Sequence, residues 1–340
     1  MKYVGADGHK DSVTFCVMGN SGKVNDIFEL EASPEGMDRF MERMGDVSKY
    51  KVMFESGTYT TDLYLHLASR DVQAYVANAR SLSIIGDSRK KTDSNDAVAI
   101  ARYLRLWDRN EIELSISHIV SGDNQRLRDL CRLREELADK KGRELQRIKS
   151  HMRRNGEYVD ESEYPDLSTE KALSHILDTF TDDFVLCERV REYMHYKRRC
   201  KDIDGKLEAS VIMQDECKLL ESIPGIGRLT ATEICSMVVD IDRFTSAGRF
   251  RSYFGMAPAV KNSGGKTNIG HLTKRGDRMM RKILYRAVFV HMRFNPEGHI
   301  SRFHEKAVSR MGRKKALTAA ANKFLDLIYA VLKRGTPFHA

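Results

Sequence analysis

The chain has 340 residues, a formal net charge of +9 and six cysteines, enough length for two domains with a connecting element. The cysteines form no C-x-x-C pair and no paired histidine spacing, which argues against a zinc site. No apolar run approaches the ~18 residues of a membrane span, the first ten residues lack a signal-peptide pattern, and unpaired thiols fit a cytoplasmic protein.

In chain order, residues 2–7, 12–18 and 24–30 read as three short strands separated by Gly8, Gly19 and Gly22. A helix follows over 34–44, then a strand ending at Glu55, a helix near 60–69, a strand Val72–Ala77 and a helix opening near Asp93. Three strands followed by alternating helix and strand predict an α/β sheet domain of the ribonuclease-H type. Asp7 and Glu55 each end an apolar strand run, and Asp93 and Asp96 open the helix. Any one of these acids alone reads as a solvated strand-end residue, and Asp93 as an N-cap. Asp93 and Asp96, however, are three residues apart on one helix face, where like charges cost stability unless a cation lies between them. Convergent carboxylates of this kind are tolerated around hard cations, Mg²⁺ first and Mn²⁺ as its substitute. His9 lies two residues past Asp7 with no partner nameable from sequence, and reads as incidental, with a proton-transfer role as the weaker alternative.

Residues 124–152 carry apolar positions at helical spacing on a strongly basic helix, and a second helical stretch runs over roughly 170–220. Asn155-Gly156 and Tyr164-Pro165 separate them, so the pair predicts a helical hairpin or antiparallel coiled coil, a packing or dimerisation device, with contact of the basic face with nucleic acid as the lesser alternative. Ile223-Pro224-Gly225-Ile226-Gly227 then reads as the turn of a helix-hairpin-helix, with Gly225 and Gly227 freeing backbone N–H groups for a phosphate. A tight interhelical turn is the equal alternative.

Charge is divided unevenly: residues 1–105 carry a net −1 and the remainder +10, as in a catalytic module joined to a polyanion-binding one. From Lys261 to Arg293 there are nine Lys and Arg and a single acid, Asp277. Lys266, Lys274, Arg275 and Arg278 are the candidate phosphate contacts. Ser263, before Gly264 and Gly265, reads either as a flexible loop residue or as a nucleophile brought close to a phosphodiester. The G-x-x-x-x-G-K-[ST] pattern of a nucleotide-binding loop is absent here.

Taken in order, Gly5-Ala6-Asp7, Glu55-Ser56-Gly57-Thr58, Lys91-Thr92-Asp93-Ser94-Asn95-Asp96-Ala97, Ile223-Pro224-Gly225-Ile226-Gly227, Phe254-Gly255-Met256-Ala257-Pro258 and Ser263-Gly264-Gly265 resemble the motifs of the DEDD transposases of bacterial insertion sequences and of the related pilin-gene invertases. The resemblance spans nearly the whole chain. It departs at Gly8-His9-Lys10, where relatives often have an apolar residue and then Ser-Lys, and at the shortened spacing from Glu55 to Gly57.

The resemblance implies a resolvase-like domain over 1–110 whose acids Asp7, Glu55, Asp93 and Asp96 bind Mg²⁺. It implies a helical linker over 111–218 and a mainly α transposase domain over 219–340, with Ser263 forming a phosphoserine link to DNA. It further implies a structured guide RNA (a bridge RNA) that pairs with donor and target DNA, and a dimer or tetramer acting at the nucleoid. The rival expectations are a site-specific DNA invertase of the same chemistry, a metal-only junction-resolving nuclease, and a non-catalytic nucleic-acid-binding protein.

Overall fold

A computed structural model describes residues 1–79, 82, 92–120, 122–210, 212–263, 266–273 and 276–339. The chain divides into two units, Met1–Ser121 and Gly122–Ala340. The expected separation of linker from C-terminal domain at 218/219 falls inside the second unit.

In the first unit, β1 (Lys2–Gly8), β2 (Ser12–Met18), β3 (Val24–Glu31), β4 (Tyr50–Glu55) and β5 (Gln73–Ala77) form one sheet in the order β3-β2-β1-β4-β5. The first three strands are antiparallel, as short turns allow, and β1, β4 and β5 are parallel. This is a mixed α/β sheet, as the order of strands and helices in the sequence predicts. Strand β1 is central and apolar on both faces, the pattern of a strand covered on two sides. Val4, Ala6, Val52 and Phe54 pack under α1 (Pro34–Met44) and α2 (Thr61–Ala68). Tyr3, Cys16 and Met53 point the other way, against Ala97, Ile100, Ala101 and Leu104 of α3 (Asp93–Asp108).

The second unit begins with α4 (Gly122–Asn155), about 50 Å long at 1.5 Å per residue. It runs antiparallel to α6 (Phe184–Glu208), with Leu127 and Cys131 meeting Ile203 and Leu207 at one end. Ile148 and Met152 meet Leu186 and Val190 at the other. The expected single stretch over 170–220 is three helices, α5 (Glu170–Thr179), α6 and α7 (Gln214–Glu221). Asp183 causes the first break, because its carboxylate caps α6 by accepting from the Leu186 N–H at 2.8 Å. Next come α8 (Arg228–Val238), α9 (Ala247–Tyr253), the hairpin β6 (Pro258–Ser263) and β7 (Lys266–Leu272), then α10 (Arg278–Phe294), α11 (His299–Met311) and α12 (Arg313–Arg334). The hairpin interrupts what the sequence leads one to expect as a mainly helical region.

A buried ionic cluster joins the helical hairpin to the helices that follow. Arg286 of α10 donates to Glu135 of α4 at 2.9 Å and to Glu233 of α8 at 2.8 Å. Lys282 and Arg134 also reach Glu135, at 2.8 and 3.0 Å. Glu135 and Glu233 are 2% and 0% exposed, so both carboxyls face protein cations rather than water.

Candidate functional site

Three of the four sequence-selected acids are set by one close contact between β1 and α3. A Cβ on Gly5 would lie 2.1 Å from the Ala97 carbonyl oxygen and 2.3 Å from the Ala101 nitrogen. Glycine therefore lets the helix backbone rest directly on the strand. Asp7 is two residues along β1 on the same face as Gly5, and Asp93 is one turn before Ala97 on the helix face that meets the sheet. The tight contact thus delivers the first turn of α3 to the C-terminal end of β1. Thr92, rather than Asp93, is the N-cap, its hydroxyl accepting from the Asn95 N–H at 3.3 Å. That leaves the Asp93 and Asp96 carboxylates in the first turn without a capping task, where the helix dipole favours negative charge.

His9 closes the cluster. Its Nε2 is 3.2 Å from Asp7 Oδ2 and 3.4 Å from Asp93 Oδ1. The sequence reading of His9 as incidental is therefore corrected: the partner it lacked is supplied by the fold from far along the chain. Glu55 reaches the same strand ends by register. Ala6 pairs with Phe54 across parallel β1 and β4, so Asp7 and Glu55 are the next residues on adjacent strands. Alternation places both on the α3 side of the sheet.

Electrostatics at this point favour a cation. Burial pushes the Asp7 carboxyl above the ordinary carboxylate range, His9 pulls it back, and the charges of Asp96 and Asp93 raise it further. A half-buried acid beside two more acids is the environment that a divalent ion relieves. One ligand atom each from Asp7, His9 and Asp93 lie within 4.8 Å of one another, close enough to share one ion. The hard carboxylate oxygens fit Mg²⁺, and the added imidazole nitrogen suits Mn²⁺ as well.

The remaining sequence-selected residues lie in the second unit. Ser263 is the last residue of β6 and pairs with Lys266, the first of β7, at the closed end of the hairpin. It is therefore at a strand end and not within a long loop. Gly264-Gly265 between two β-runs is a hairpin signal that the sequence reading passed over. Gly264, Gly265, Lys274 and Arg275 lie outside the described residues. Arg278 opens α10 and is exposed.

The two motif glycines between α7 and α8 differ in their surroundings. Gly225 has φ +88°, and a Cβ there would lie 2.6 Å from the His291 nitrogen of α10. The same histidine donates from Nδ1 to the Pro224 carbonyl at 2.7 Å. Gly225 is thus required by internal packing. Gly227 is the N-cap of α8, exposed, with open space where a Cβ would be.

Comparison with known proteins bears on both units. A family model described as Transposase IS116/IS110/IS902 family matches residues 217–304. A transposase model of the DEDD type, named for IS110, matches residues 4–155. The first range contains Gly225, Gly227, Ser263 and Arg278, and the second contains all four acids. The transposase for insertion sequence element IS1111A of Coxiella burnetii is 32% identical over 136 residues, 39% of this chain and 37% of that protein. The transposase for element IS1328 of Yersinia enterocolitica is 26% identical over 44% of this chain and 46% of its own length. The chain thus spans less than half the length of these two relatives. The pilin gene-inverting protein of Moraxella lacunata is 26% identical over 278 residues, 77% of this chain and 71% of that protein.

Proposed function

Because this chain belongs to the IS110/IS116 family of transposases, we propose that it is the recombinase of an insertion sequence, cutting and rejoining DNA under the direction of a structured guide RNA. The observation that carries the reading is the convergence of Asp7, His9 and Asp93 at the end of β1, in a chain that matches transposase models in both its front and back parts.

In this reading residues 1–110 hold the metal, 111–218 link, and 219–340 carry the nucleophile. Asp7, Glu55, Asp93 and Asp96 would hold Mg²⁺ or Mn²⁺. When bound, such an ion supplies charge stabilisation to the phosphate under attack. Ser263 gives up its hydroxyl proton as its Oγ forms a bond to phosphorus, and the bond from phosphorus to the departing sugar oxygen breaks, that oxygen taking up a proton. The phosphoserine bond conserves the phosphodiester energy, so rejoining needs no high-energy cofactor. Gly227, Lys266, Lys274, Arg275 and Arg278 would hold DNA phosphates, with Gly225 shaping the turn beside them. The family resemblance supports a dimer or tetramer as the working form, acting in the cytoplasm at the nucleoid. Among the described residues no helix is long and apolar enough to cross a membrane.

Trapping on a nicked DNA substrate tests the nucleophile. Wild type should yield a covalent protein–DNA adduct and Ser263→Ala none, while DNA binding is retained. An adduct that persists in Ser263→Ala would remove Ser263 from the reaction. Inversion of a DNA segment by the same chemistry is the second reading, favoured by the long match to the pilin gene-inverting protein. Product analysis on a substrate with paired sites separates excision from inversion.

A further inference from the structure

Helix α10 buries Met280, Ile283, Leu284, Ala287, Val288 and His291 on one side. On its opposite side Arg278, Lys282, Arg286, Phe289 and Arg293 follow at steps of four, four, three and four residues, one continuous stripe. Phe289 is 63% exposed in the middle of it. A single exposed phenylalanine is ordinary, but its surroundings are not. Residues 278–294 contain five Lys and Arg and no acid. Lys282 and Arg286 are engaged by the Glu135 and Glu233 cluster, and Arg281 donates to the Gly276 carbonyl. Arg278 and Arg293 have neither an ion pair nor a side-chain hydrogen bond among the described residues. Among the described residues the stripe therefore presents an aromatic ring one turn from the unpaired guanidinium of Arg293, with a second unpaired one at Arg278 nearer the start of the helix.

Building on the recombinase reading above, we propose that this stripe seats an unpaired DNA strand, with Phe289 stacking on a base and Arg293 holding the adjoining phosphate. An aromatic face beside cations is the combination that grips single strands, because every base offers a π-face and every nucleotide a charge. One helical turn separates Phe289 from Arg293, about 6 Å between their Cβ atoms, so one nucleotide spans both. Residues 273–277 join α10 to the end of β7 that pairs with Pro258, the end of the hairpin away from Ser263. Strands freed by cutting are the unpaired DNA that such a reaction produces. Phe294, also exposed, lies well around the helix from this stripe and is not part of it.

The test uses the full chain carrying Ser263→Ala, and a short single-stranded DNA with a fluorescent purine that is quenched by stacking. Quenching should be seen, and Phe289→Leu, which keeps the apolar bulk but not the ring, should abolish it. That variant should weaken single-strand binding about 5- to 100-fold while leaving duplex binding unchanged. Arg293→Gln should weaken single-strand binding and lower its salt slope by about 0.7. Unchanged single-strand binding in both variants would overturn the proposal. So would equal losses on single strand and duplex, or a ring-dependent preference for RNA of the same sequence. A change in oligomeric state caused by Phe289→Leu, by sedimentation, would make the stripe a contact between copies and overturn it as well. Adduct formation by the Ser263 chain is read separately, so normal stacking without an adduct condemns the recombinase reading, and an adduct without stacking condemns this one.

Discussion

At the scale of single residues, Asp7 joins two opposed demands. Its carboxyl is disfavoured by burial and by Asp93 and Asp96, yet those same neighbours make the place attractive to a cation. Asp7→Asn should therefore fold at least as stably as wild type in EDTA, by thermal melting, while losing the melting increase that Mn²⁺ gives wild type. Strand cleavage should fall about 100-fold or more, as expected when several kcal/mol of charge stabilisation is lost. A variant that melts well below wild type in EDTA would make Asp7 a structural residue. His9 calls for a separate comparison. If it is a ligand, His9→Ala should weaken Mn²⁺ more than Mg²⁺, because imidazole favours the softer ion; equal weakening of the two would deny it that role.

At the scale of elements, the α4–α8–α10 cluster predicts a pH dependence. Burial pushes the Glu233 carboxyl from 4.5 to about 7, with Arg286 opposing and Glu135 adding to the rise. Burial also acts to raise Glu135, but Lys282 and Arg286 outweigh it and hold that carboxyl at about 2. The raised acid binds its proton more tightly in the folded state. Its contribution is fully present below pH 4.5 and lost as pH rises through 7. The depressed acid contributes above pH 4.5 and loses that contribution as pH falls toward 2. Glu233→Gln should thus gain stability relative to wild type at pH 8 and no comparable amount at pH 4.5. Urea unfolding at the two pH values measures this, and an equal effect at both would show that proton uptake is not involved.

At the scale of the whole molecule, the division of charge predicts two kinds of DNA dependence. Phosphate contacts by the basic back part should make affinity fall steeply with salt, each contact adding about 0.9 to the log–log slope on duplex. Arg278→Gln should flatten that slope and weaken binding to all sequences alike. Sequence choice should follow the guide: one protein preparation with two guides differing in their loops should cut at two different sites. A cut site that stays fixed would assign recognition to the protein.

The front sheet was legible because apolar runs, glycine turns and terminal acids mark β1, β4 and the start of α3. The place of His9 was not, since its second partner is Asp93, and only the Gly5 contact brings the two together. The hairpin at Ser263 was obscured because Lys261, Asn262, Lys266, Thr267 and Asn268 give it a polar, loop-like composition. The break before α6 was obscured because Asp182 and Asp183 look like surface charge until Asp183 is seen capping.

The contact at Gly5 also has a genetic consequence. Most core replacements can be rescued by trimming a neighbouring side chain, but the atoms nearest a Cβ at position 5 are the main-chain atoms of Ala97 and Ala101. Every residue type at 97 or 101 presents those same atoms. Gly5→Ala should destabilise the first unit by about 3 kcal/mol or more, and no substitution at the positions it strikes should relieve it. A suppressor screen begun from that variant should return reversions to glycine, and none of the recovered changes should map to residue 97 or 101.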